Sequence, residues 1–232
     1  MKNVLITGIK SYIGNSIEKH LSYFPNDYSV KKISLRDGKW RKDDLSIFDV
    51  IIHVAGIAHV SSKQTLKKEY YVVNRDLTIE LAKKAKKEGV KQFIFASSII
   101  VYGDSSFSPN IININTQPNP KNDYGKSKLQ AEEELIKLES DCFKVAILRL
   151  PMIYGKNSKG NYEKLAYIAR NLPFFPDIEN KRSMLYIENL CYFIKLLIDN
   201  NDRGVFFPQN KEYVNTSEMV RLISEFNGKK IK

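Results

Sequence analysis

A chain of 232 residues with 43% hydrophobic and 27% charged residues can bury a sizeable core, which excludes a disordered or fibrous protein. The formal net charge of +11 would suit a nucleic-acid-binding protein, but the basic residues lie scattered in short groups that fit exposed helix faces, so we do not expect a nucleic-acid partner. No apolar run approaches the ~20 residues that cross a bilayer, and the N-terminal run is too short for a secretion signal, so we expect a cytoplasmic protein without membrane contact.

The apolar residues predict strands and helices in alternation over the first 150 residues. The predicted strands are Lys2–Thr7, Val30–Leu35, Phe48–Val54, Gln92–Ser98 and Phe143–Leu150, and the predicted helices are Ile13–Tyr23, Leu66–Lys87 and Asp123–Ser140. Strands and helices joined by short links are typical of right-handed βαβ units. The predicted fold class is therefore α/β, a Rossmann-like doubly wound parallel sheet, whose ligands bind outside the carboxyl ends of the strands.

Beyond Pro151 the pattern loosens, and the two helices that it still predicts are Ile187–Asp199 and Thr216–Phe226. We therefore divide the chain into a dinucleotide-binding domain, residues 1–150, and a small substrate-binding lobe, residues 151–232.

The cysteines and histidines indicate neither disulfide bonds nor a metal. Cys142 and Cys191 both lie in apolar segments, which argues against a disulfide framework. His20, His53 and His59 lack companion cysteines and the spacing of metal ligands. We predict no metal site and a helix-surface or loop position for each histidine.

A candidate phosphate-binding turn follows the first predicted strand. Gly8 would let the chain turn sharply, and Gly14 would let the next helix approach the strand closely. The N-terminus of that helix, at Ser11, Tyr12 and Ile13, would present free N–H groups and a favourable dipole to a pyrophosphate. Ser11 stands where a glycine is usual; serine can donate a hydrogen bond to phosphate, but its backbone has less freedom.

The end of the second strand bears on the choice of dinucleotide. Asp37 could bind the adenosine ribose diol, which favours NAD, whereas Arg36 could pair with a 2′-phosphate, which favours NADP. Both residues could equally serve only to form a turn, so the sequence leaves NAD and NADP open.

A candidate acid/base pair opens the third long helix. Tyr124 and Lys128 are four residues apart and share one helix face. An ammonium beside a phenol favours phenolate and lowers its pKa from ~10, so that the tyrosine could exchange a proton with a carbinol. Ser98, at the end of a buried strand, could hydrogen-bond the same oxygen.

These stretches form a set of motifs along the chain. In order they are Thr7-Gly8 with Gly14, His53-Val54-Ala55-Gly56, Tyr71-Val72-Val73-Asn74, Ser97-Ser98 with Val101-Tyr102-Gly103, Tyr124-Gly125-Lys126-Ser127-Lys128, and Leu148-Arg149-Leu150-Pro151 with Tyr154-Gly155. The set resembles the extended short-chain dehydrogenase/reductase superfamily, in its NAD-dependent nucleotide-sugar epimerase/dehydratase family.

The resemblance implies a role for each matching residue. Tyr124 would be the acid/base, Lys128 its activator and a ligand of the nicotinamide ribose, and Ser98 the second hydroxyl contact. The cofactor crevice would be lined by Val54, Ala55, Gly56 and Asn74. The segment Lys159-Gly160-Asn161 and the residues around Arg182 resemble those that hold the nucleotide diphosphate, which makes Asn161 and Arg182 candidate substrate ligands; an ordinary surface loop is the alternative for both.

Departures from the family pattern narrow the expected activity. Ile99 and Ile100 stand where the 4,6-dehydratases carry an Asp-Glu pair, which argues against elimination of water. Relatives usually continue past Lys232, so the substrate lobe is expected to be incomplete or unusually small.

The resemblance favours an NAD(P)-dependent 4-epimerase of a UDP-sugar. The alternatives are an NAD(P)H-dependent reductase of a nucleotide 4-keto-6-deoxy sugar and a non-catalytic dinucleotide-binding scaffold. It also implies a homodimer through the helices Leu66–Lys87 and Asp123–Ser140.

Overall fold

The computed structural model of the protein describes residues 1–58, 64–103, 111–158 and 160–231. Its strands are β1 (Lys2–Thr7), β2 (Tyr28–Ile33), β3 (Val50–His53), β4 (Gln92–Ser98), β5 (Lys144–Leu150), β6 (Met152–Tyr154), β7 (Met184–Tyr186) and β8 (Gly204–Phe206). Its α-helices are α1 (Tyr12–Leu21), α2 (Gln64–Tyr70), α3 (Leu77–Lys87), α4 (Asp123–Leu138), α5 (Asn161–Asn171), α6 (Ile187–Asn200) and α7 (Thr216–Phe226).

The main sheet is six-stranded, in the order β2-β1-β3-β4-β5-β8, and every pair in it is parallel. The predicted doubly wound parallel sheet is confirmed. The strand order reverses between β1 and β3, and the crevice at such a reversal is where ligands of these sheets bind. Thr7 pairs with His53 in this register, so the chain leaves both strands side by side, at Gly8 and Val54.

Two apolar layers hold the sheet between helices. Residues of β1 alternate between them, because successive side chains of a strand face opposite sides. Val4 and Ile6 pack in the cluster that includes residues of α1 and α6, and Leu5 packs in the cluster that includes residues of α3 and α4. The inner strand β3 is buried along its whole length, as central strands of parallel sheets are, whereas the edge strands β2 and β8 keep exposed residues.

The long helix predicted over Leu66–Lys87 is divided into three parts. A π-helical turn, Tyr71–Asp76, separates α2 from α3 and contains the buried Asn74. Such turns widen a helix locally and are frequent at functional sites. The apolar periodicity on either side gave no sign of it, because a single extra residue shifts the pattern only slightly.

His53 corrects one prediction. It lies in β3 and is fully buried, not on a helix surface or in a loop. The apolar residues on either side of it already indicated that His53 is buried, because a polar residue inside a buried strand must itself be buried. His59 falls outside the residues that the structure describes.

The second half of the chain is more regular than its sequence pattern indicated. The strands β6, β7 and β8 have three residues each, too few to show a period, and α5 was not predicted. The helix α6 packs in the same apolar cluster as α1, and β8 pairs with β5, so both extend the main sheet assembly. The boundary at residue 150 stays a prediction.

The described residues contain no helix long and apolar enough to cross a membrane. Within the same ranges, no three side chains of His, Cys, Asp or Glu are grouped so that they could hold a metal ion.

A buried ion pair joins α4 to β5. Glu132 is fully buried, and its Oε2 accepts hydrogen bonds from Arg149 Nε at 3.0 Å and Nη2 at 2.7 Å. Because Glu132→Gln leaves the guanidinium without its counter-charge, we expect it to lower the free energy of unfolding by about 3–5 kcal/mol in urea denaturation. Glu134→Gln, which breaks an exposed pair with Lys137 on the same helix, serves as the control and should leave the urea midpoint unchanged. Equal midpoints for the two variants would contradict the prediction.

Candidate active site

Four segments of the chain meet at the carboxyl edge of the sheet. Gly8 follows β1 and touches the segment after β3, because a Cβ placed on Gly8 would lie 3.3 Å from Ala55 Cα. A Cβ placed on Gly56 would lie 3.0 Å from Asn74 Oδ1 and 3.5 Å from Lys128 Nζ. The candidate phosphate turn, the segment after β3, Asn74 and the lysine of α4 are therefore contiguous, as the sequence predicted.

The turn before α1 has the geometry of an anion-binding helix start. Gly8 has φ +89°, a left-handed value that only glycine adopts at low cost. Ser11 has φ −69° and ψ 131°, an ordinary extended conformation, so the serine in place of a glycine costs no backbone strain. Its hydroxyl oxygen accepts from Gly14 N at 3.2 Å and caps the helix. The first N–H groups of a helix, here at Tyr12 and Ile13, have no acceptor within it and remain available to a ligand.

The Ser98 hydroxyl lies near the Tyr124 phenol and affects its pKa. Ser98 ends β4 and its hydroxyl oxygen accepts from Ile100 N at 3.3 Å, which fixes its position. Burial raises the pKa of the Tyr124 phenol, whereas the Ser98 hydroxyl lowers it and the nearby Tyr70 raises it. The two tyrosine rings lie with their centroids 5.8 Å apart. Burial has the largest effect and the pKa of the phenol is raised, so Tyr124 is protonated at neutral pH.

The polar contact of the Lys128 ammonium is with β4 and not with the Tyr124 phenol. The ammonium donates to the carbonyl oxygen of Ala96 at 2.8 Å and lies 4.5 Å from the centroid of the Phe95 ring. Burial lowers the pKa of Lys128 itself to about 8, with Glu132 acting in the opposite direction. The spacing correctly placed the two residues on one face, but not their polar contacts.

Asn74 closes the segment that follows β3. Its side chain is fully buried; Oδ1 accepts from Ile57 N and Nδ2 donates to Ile57 O, both at 2.9 Å. A side-chain amide that bonds both polar groups of one residue fixes that backbone as a neighbouring strand would. The segment Val54–Ala58 thus has a defined path beside the turn at Gly8.

The other predicted site residues lie on the surface. Arg36 and Asp37 are exposed beyond the end of β2, and Asp37 Oδ1 accepts from Lys39 N at 3.2 Å. Asn161 is the exposed first residue of α5, and Arg182 exchanges two backbone hydrogen bonds of 2.9 Å with Val214. Within the described ranges, none of these four residues has a contact with Ser98 or Tyr124 among the hydrogen bonds and ion pairs. Lys159 lies outside the described residues.

A polar network beneath the site was missed by the sequence reasoning. Glu132 accepts a hydrogen bond from Ser97 Oγ as well as from Arg149, and Arg149 donates to the Tyr102 hydroxyl. The guanidinium lies 5.8 Å from the centroid of Phe207, which follows β8. The sequence did contain a sign of this network, because Glu132 is four residues beyond Lys128 and therefore on the same helix face.

Comparisons with known proteins agree with this geometry. The profile of the NAD dependent epimerase/dehydratase family matches residues 4–210. A UDP-glucose 4-epimerase of Vibrio cholerae is 33% identical over 249 residues, which cover 96% of this chain and 75% of that protein. An N-acetyl-alpha-D-glucosaminyl-diphospho-ditrans,octacis-undecaprenol 4-epimerase of Escherichia coli O157:H7 is 29% identical over 99% of this chain and 73% of its own length.

Solved structures share the fold. MoeE5 in complex with UDP-glucose and NAD superposes with a TM-score of 0.81 at 22% identity, over 97% of this chain and 82% of that one. A dTDP-4-dehydrorhamnose reductase of Clostridium acetobutylicum superposes with a TM-score of 0.83 at 19% identity, over 99% and 82%. At these identities the likeness establishes the architecture only.

Proposed function

The chain belongs to the NAD-dependent epimerase/dehydratase family, and from that premise we propose that it is a 4-epimerase of a UDP-linked sugar. The resemblance found in its motifs is confirmed, and the chain is an NAD(P)-dependent enzyme of this family. One observation carries the specific proposal. The Ser98 hydroxyl lies near enough to the Tyr124 phenol at the carboxyl edge of the sheet to lower its pKa, with Lys128 on the same helix face as Tyr124 and the turn at Gly8 in the same crevice.

The residues around the crevice fit a dinucleotide. The left-handed Gly8 and the N-terminus of α1 offer backbone N–H groups to a pyrophosphate, and the segment Val54–Ala58 forms the adjoining wall. Lys128 Nζ would contact the nicotinamide ribose from α4. The bound nicotinamide would supply the hydride acceptor and donor, chemistry that protein side chains lack. Arg36 and Asp37 lie beyond β2, where the adenosine ribose would be held, and which of them makes the contact would decide between NAD and NADP.

The protein's own part in the reaction is proton transfer and positioning. Ser98 would hold the C4 oxygen by a hydrogen bond, and Tyr124 would exchange a proton with it. The protonated phenol, favoured here by burial, is the form that returns a proton to a C4 carbonyl oxygen. The forward step needs phenolate, and positive charge brought beside the phenol favours that form. An epimerase uses both directions in each turnover, so neither form alone suffices.

A reductase of a nucleotide 4-keto-6-deoxy sugar is the second candidate. It would use only the proton-donating direction, which the raised pKa of Tyr124 favours. A UDP-2-acetamido-2,6-beta-L-arabino-hexul-4-ose reductase of Pseudomonas aeruginosa is 24% identical over 97% of this chain, though over only 58% of its own length. The simultaneous presence of Ser98, Tyr124 and Lys128 argues against a scaffold that has lost its chemistry.

The substrate would be covered by residues 151–232. The helices α5 and α7 pack together around Ala169, Val220 and Ile231, and Asn161 and Arg182 are our candidates for contact with the nucleotide diphosphate. A substrate bound between Ser98 and Arg182 would have its sugar over Tyr124.

We expect a homodimer through the helices α2, α3 and α4. Val72 and Ile136, which belong to the π-helical turn and to α4, are 57% and 54% exposed, and pairing with a second copy would cover such apolar side chains. Sedimentation equilibrium should give twice the mass of the chain. A monomer at micromolar concentration would contradict the expectation.

The activity can be tested with UDP-glucose and UDP-N-acetylglucosamine, each with and without added NAD. We expect proton NMR to detect the C4 epimer of at least one sugar, without net accumulation of NADH. A reductase would instead give no epimer and would consume NAD(P)H when offered a nucleotide 4-keto-6-deoxy sugar. Tight NAD binding with neither reaction would contradict both candidate functions.

A further inference from the structure

The buried His53 has a hydroxyl partner on each ring nitrogen. Its Nδ1 lies 2.8 Å from the Oγ1 of Thr7 at the end of β1. Its Nε2 lies 2.8 Å from the Oγ1 of Thr78 on α3. All three side chains are fully buried, so each must find its hydrogen-bond partners within the protein.

The neighbouring backbone groups decide which nitrogen carries the hydrogen. The Thr78 hydroxyl donates its one hydrogen to the carbonyl oxygen of Asn74 at 2.9 Å, so its oxygen must accept from His53 Nε2–H. The Thr7 oxygen already accepts from Ala55 N at 3.2 Å, which leaves its hydrogen for His53 Nδ1. Burial lowers the pKa of His53 to about 3, with the charge of Lys128 contributing, and a neutral ring is what this pattern requires.

The chain of hydrogen bonds continues to the helix of the active site. Asn74 Nδ2 donates to Ser127 Oγ at 3.4 Å, and the Ser127 hydroxyl donates to the carbonyl oxygen of Tyr124 at 2.8 Å. One end of the chain is therefore Thr7, directly before Gly8 of the phosphate turn. The other end is the backbone of Tyr124.

A stack of side chains links His53 to the same helix by a second route. The His53 and Phe95 rings are nearly parallel, at an interplanar angle of 15° and a centroid separation of 5.8 Å. The Lys128 ammonium lies over the same Phe95 ring, 4.5 Å from its centroid. His53 thus bonds Thr7 directly and reaches Lys128 through the Phe95 ring that both of them contact.

We propose that His53, as its Nε2–H tautomer, is a positioning residue that fixes the phosphate turn after β1 relative to the helix that carries Tyr124 and Lys128. The ring joins the three elements β1, β3 and α3 with bonds of defined direction, which hydrophobic packing alone does not provide. The proposal rests on the proposed function only in taking the crevice beside Gly8 as a dinucleotide site. It adds a role for a residue that touches neither cofactor nor sugar.

The test measures NAD affinity of the folded chain by calorimetry, without any sugar. His53→Phe keeps the stacked ring but removes the acceptor for the Thr7 hydroxyl hydrogen and the donor to Thr78, and should weaken NAD binding roughly 10- to 100-fold, the effect of one unpaired buried polar group. His53→Gln, which can both donate and accept, should recover part of the loss. His20→Phe, the same exchange at the far end of α1, should bind NAD as the wild type does.

The tautomer has its own readout. In 15N-labelled protein, NMR should find His53 with Nε2 protonated and Nδ1 not, and with no titration between about pH 5 and 8, as expected when the buried ring's pKa is far below its usual ~6.5. If His53→Phe does not fold, Thr78→Val removes the hydroxyl that joins His53 Nε2 to the carbonyl oxygen of Asn74, leaves the bond between His53 and Thr7 in place, and should weaken NAD binding in the same direction.

The outcomes separate this proposal from the epimerase function. Unchanged NAD affinity in the folded His53→Phe variant, or in Thr78→Val where that variant is the one available, would overturn it. So would the Nδ1–H tautomer, a ring that titrates in this range, or a wild-type chain that does not bind NAD. NAD binding that depends on His53, found together with no turnover of any sugar, would support the positioning role and refute only the proposed activity.

Discussion

Tyr124→Phe is expected to lower kcat by about 10²–10⁴-fold, the usual contribution of a positioned proton-transfer group. The exchange removes only the phenol oxygen, which lies near the Ser98 hydroxyl and would exchange the proton at C4. NAD affinity should stay within about twofold, because a lone hydrogen bond contributes little net free energy and the ring itself is retained. The measurement pairs initial rates of epimer formation with a calorimetric titration of NAD.

Tyr23→Phe provides the matched control for that experiment. The side chain of Tyr23 is 65% exposed just after α1, at the opposite end of the helix from the phosphate turn. Its loss of a hydroxyl should leave both kcat and NAD affinity unchanged. Turnover retained by Tyr124→Phe at the wild-type rate would refute the assignment of Tyr124 as the acid/base.

Lys128→Met is expected to lower both kcat and NAD affinity, kcat by about 10²-fold and affinity by about tenfold. The ammonium lies beside Gly56 in the crevice and is held by the carbonyl of Ala96. Methionine would fill the space and keep the contact with Phe95, but it offers neither the charge nor the donor. The same rate assay and NAD titration measure both effects. If neither changed, the spacing of Tyr124 and Lys128 would be accidental.

The same substitution should alter the pH dependence of stability. Burial lowers the pKa of Lys128 from 10.5 to about 8. Between these values the unfolded chain holds a proton that the folded chain has released, so this group makes the folded state more stable as the pH rises through that window. Below about pH 8 both states are charged and the group adds no slope. The difference between wild type and Lys128→Met in the free energy of unfolding should therefore grow in favour of wild type from pH 8 to 10.5; a constant difference would contradict the burial of a charged lysine.

Long elements with a clear apolar period were predictable from the sequence. The bounds of β1, β4 and α7 agree with the structure at both ends, and the parallel sheet followed from their alternation. The strand β2 begins and ends two residues before its predicted range, because its pairing with β1 stops at Thr7, opposite Ile33. Strand pairing is a long-range property, and a single strand's composition does not contain it.

The candidate site was predictable as a set of residues but not as a set of polar contacts. The carboxyl ends of β1, β3 and β4 do meet, since the topology of a parallel sheet brings them together. The direction of the Lys128 ammonium and the burial of His53 depend on neighbours from other elements, Ala96 and Thr78 among them. The role of each predicted site residue stays a prediction until variants are measured.

In the proposed reaction, C4 of the sugar loses and regains the same hydride while Tyr124 moves the proton. The most direct test is to incubate the protein with UDP-glucose that carries deuterium at C4, in ordinary water, and to analyse the recovered sugars by NMR and mass spectrometry. We expect the C4 epimer to retain deuterium at C4, because the hydride would be transferred to the nicotinamide and back without exchange. An epimer that carries solvent hydrogen at C4 would contradict this expectation, since the reaction would then proceed by deprotonation of carbon.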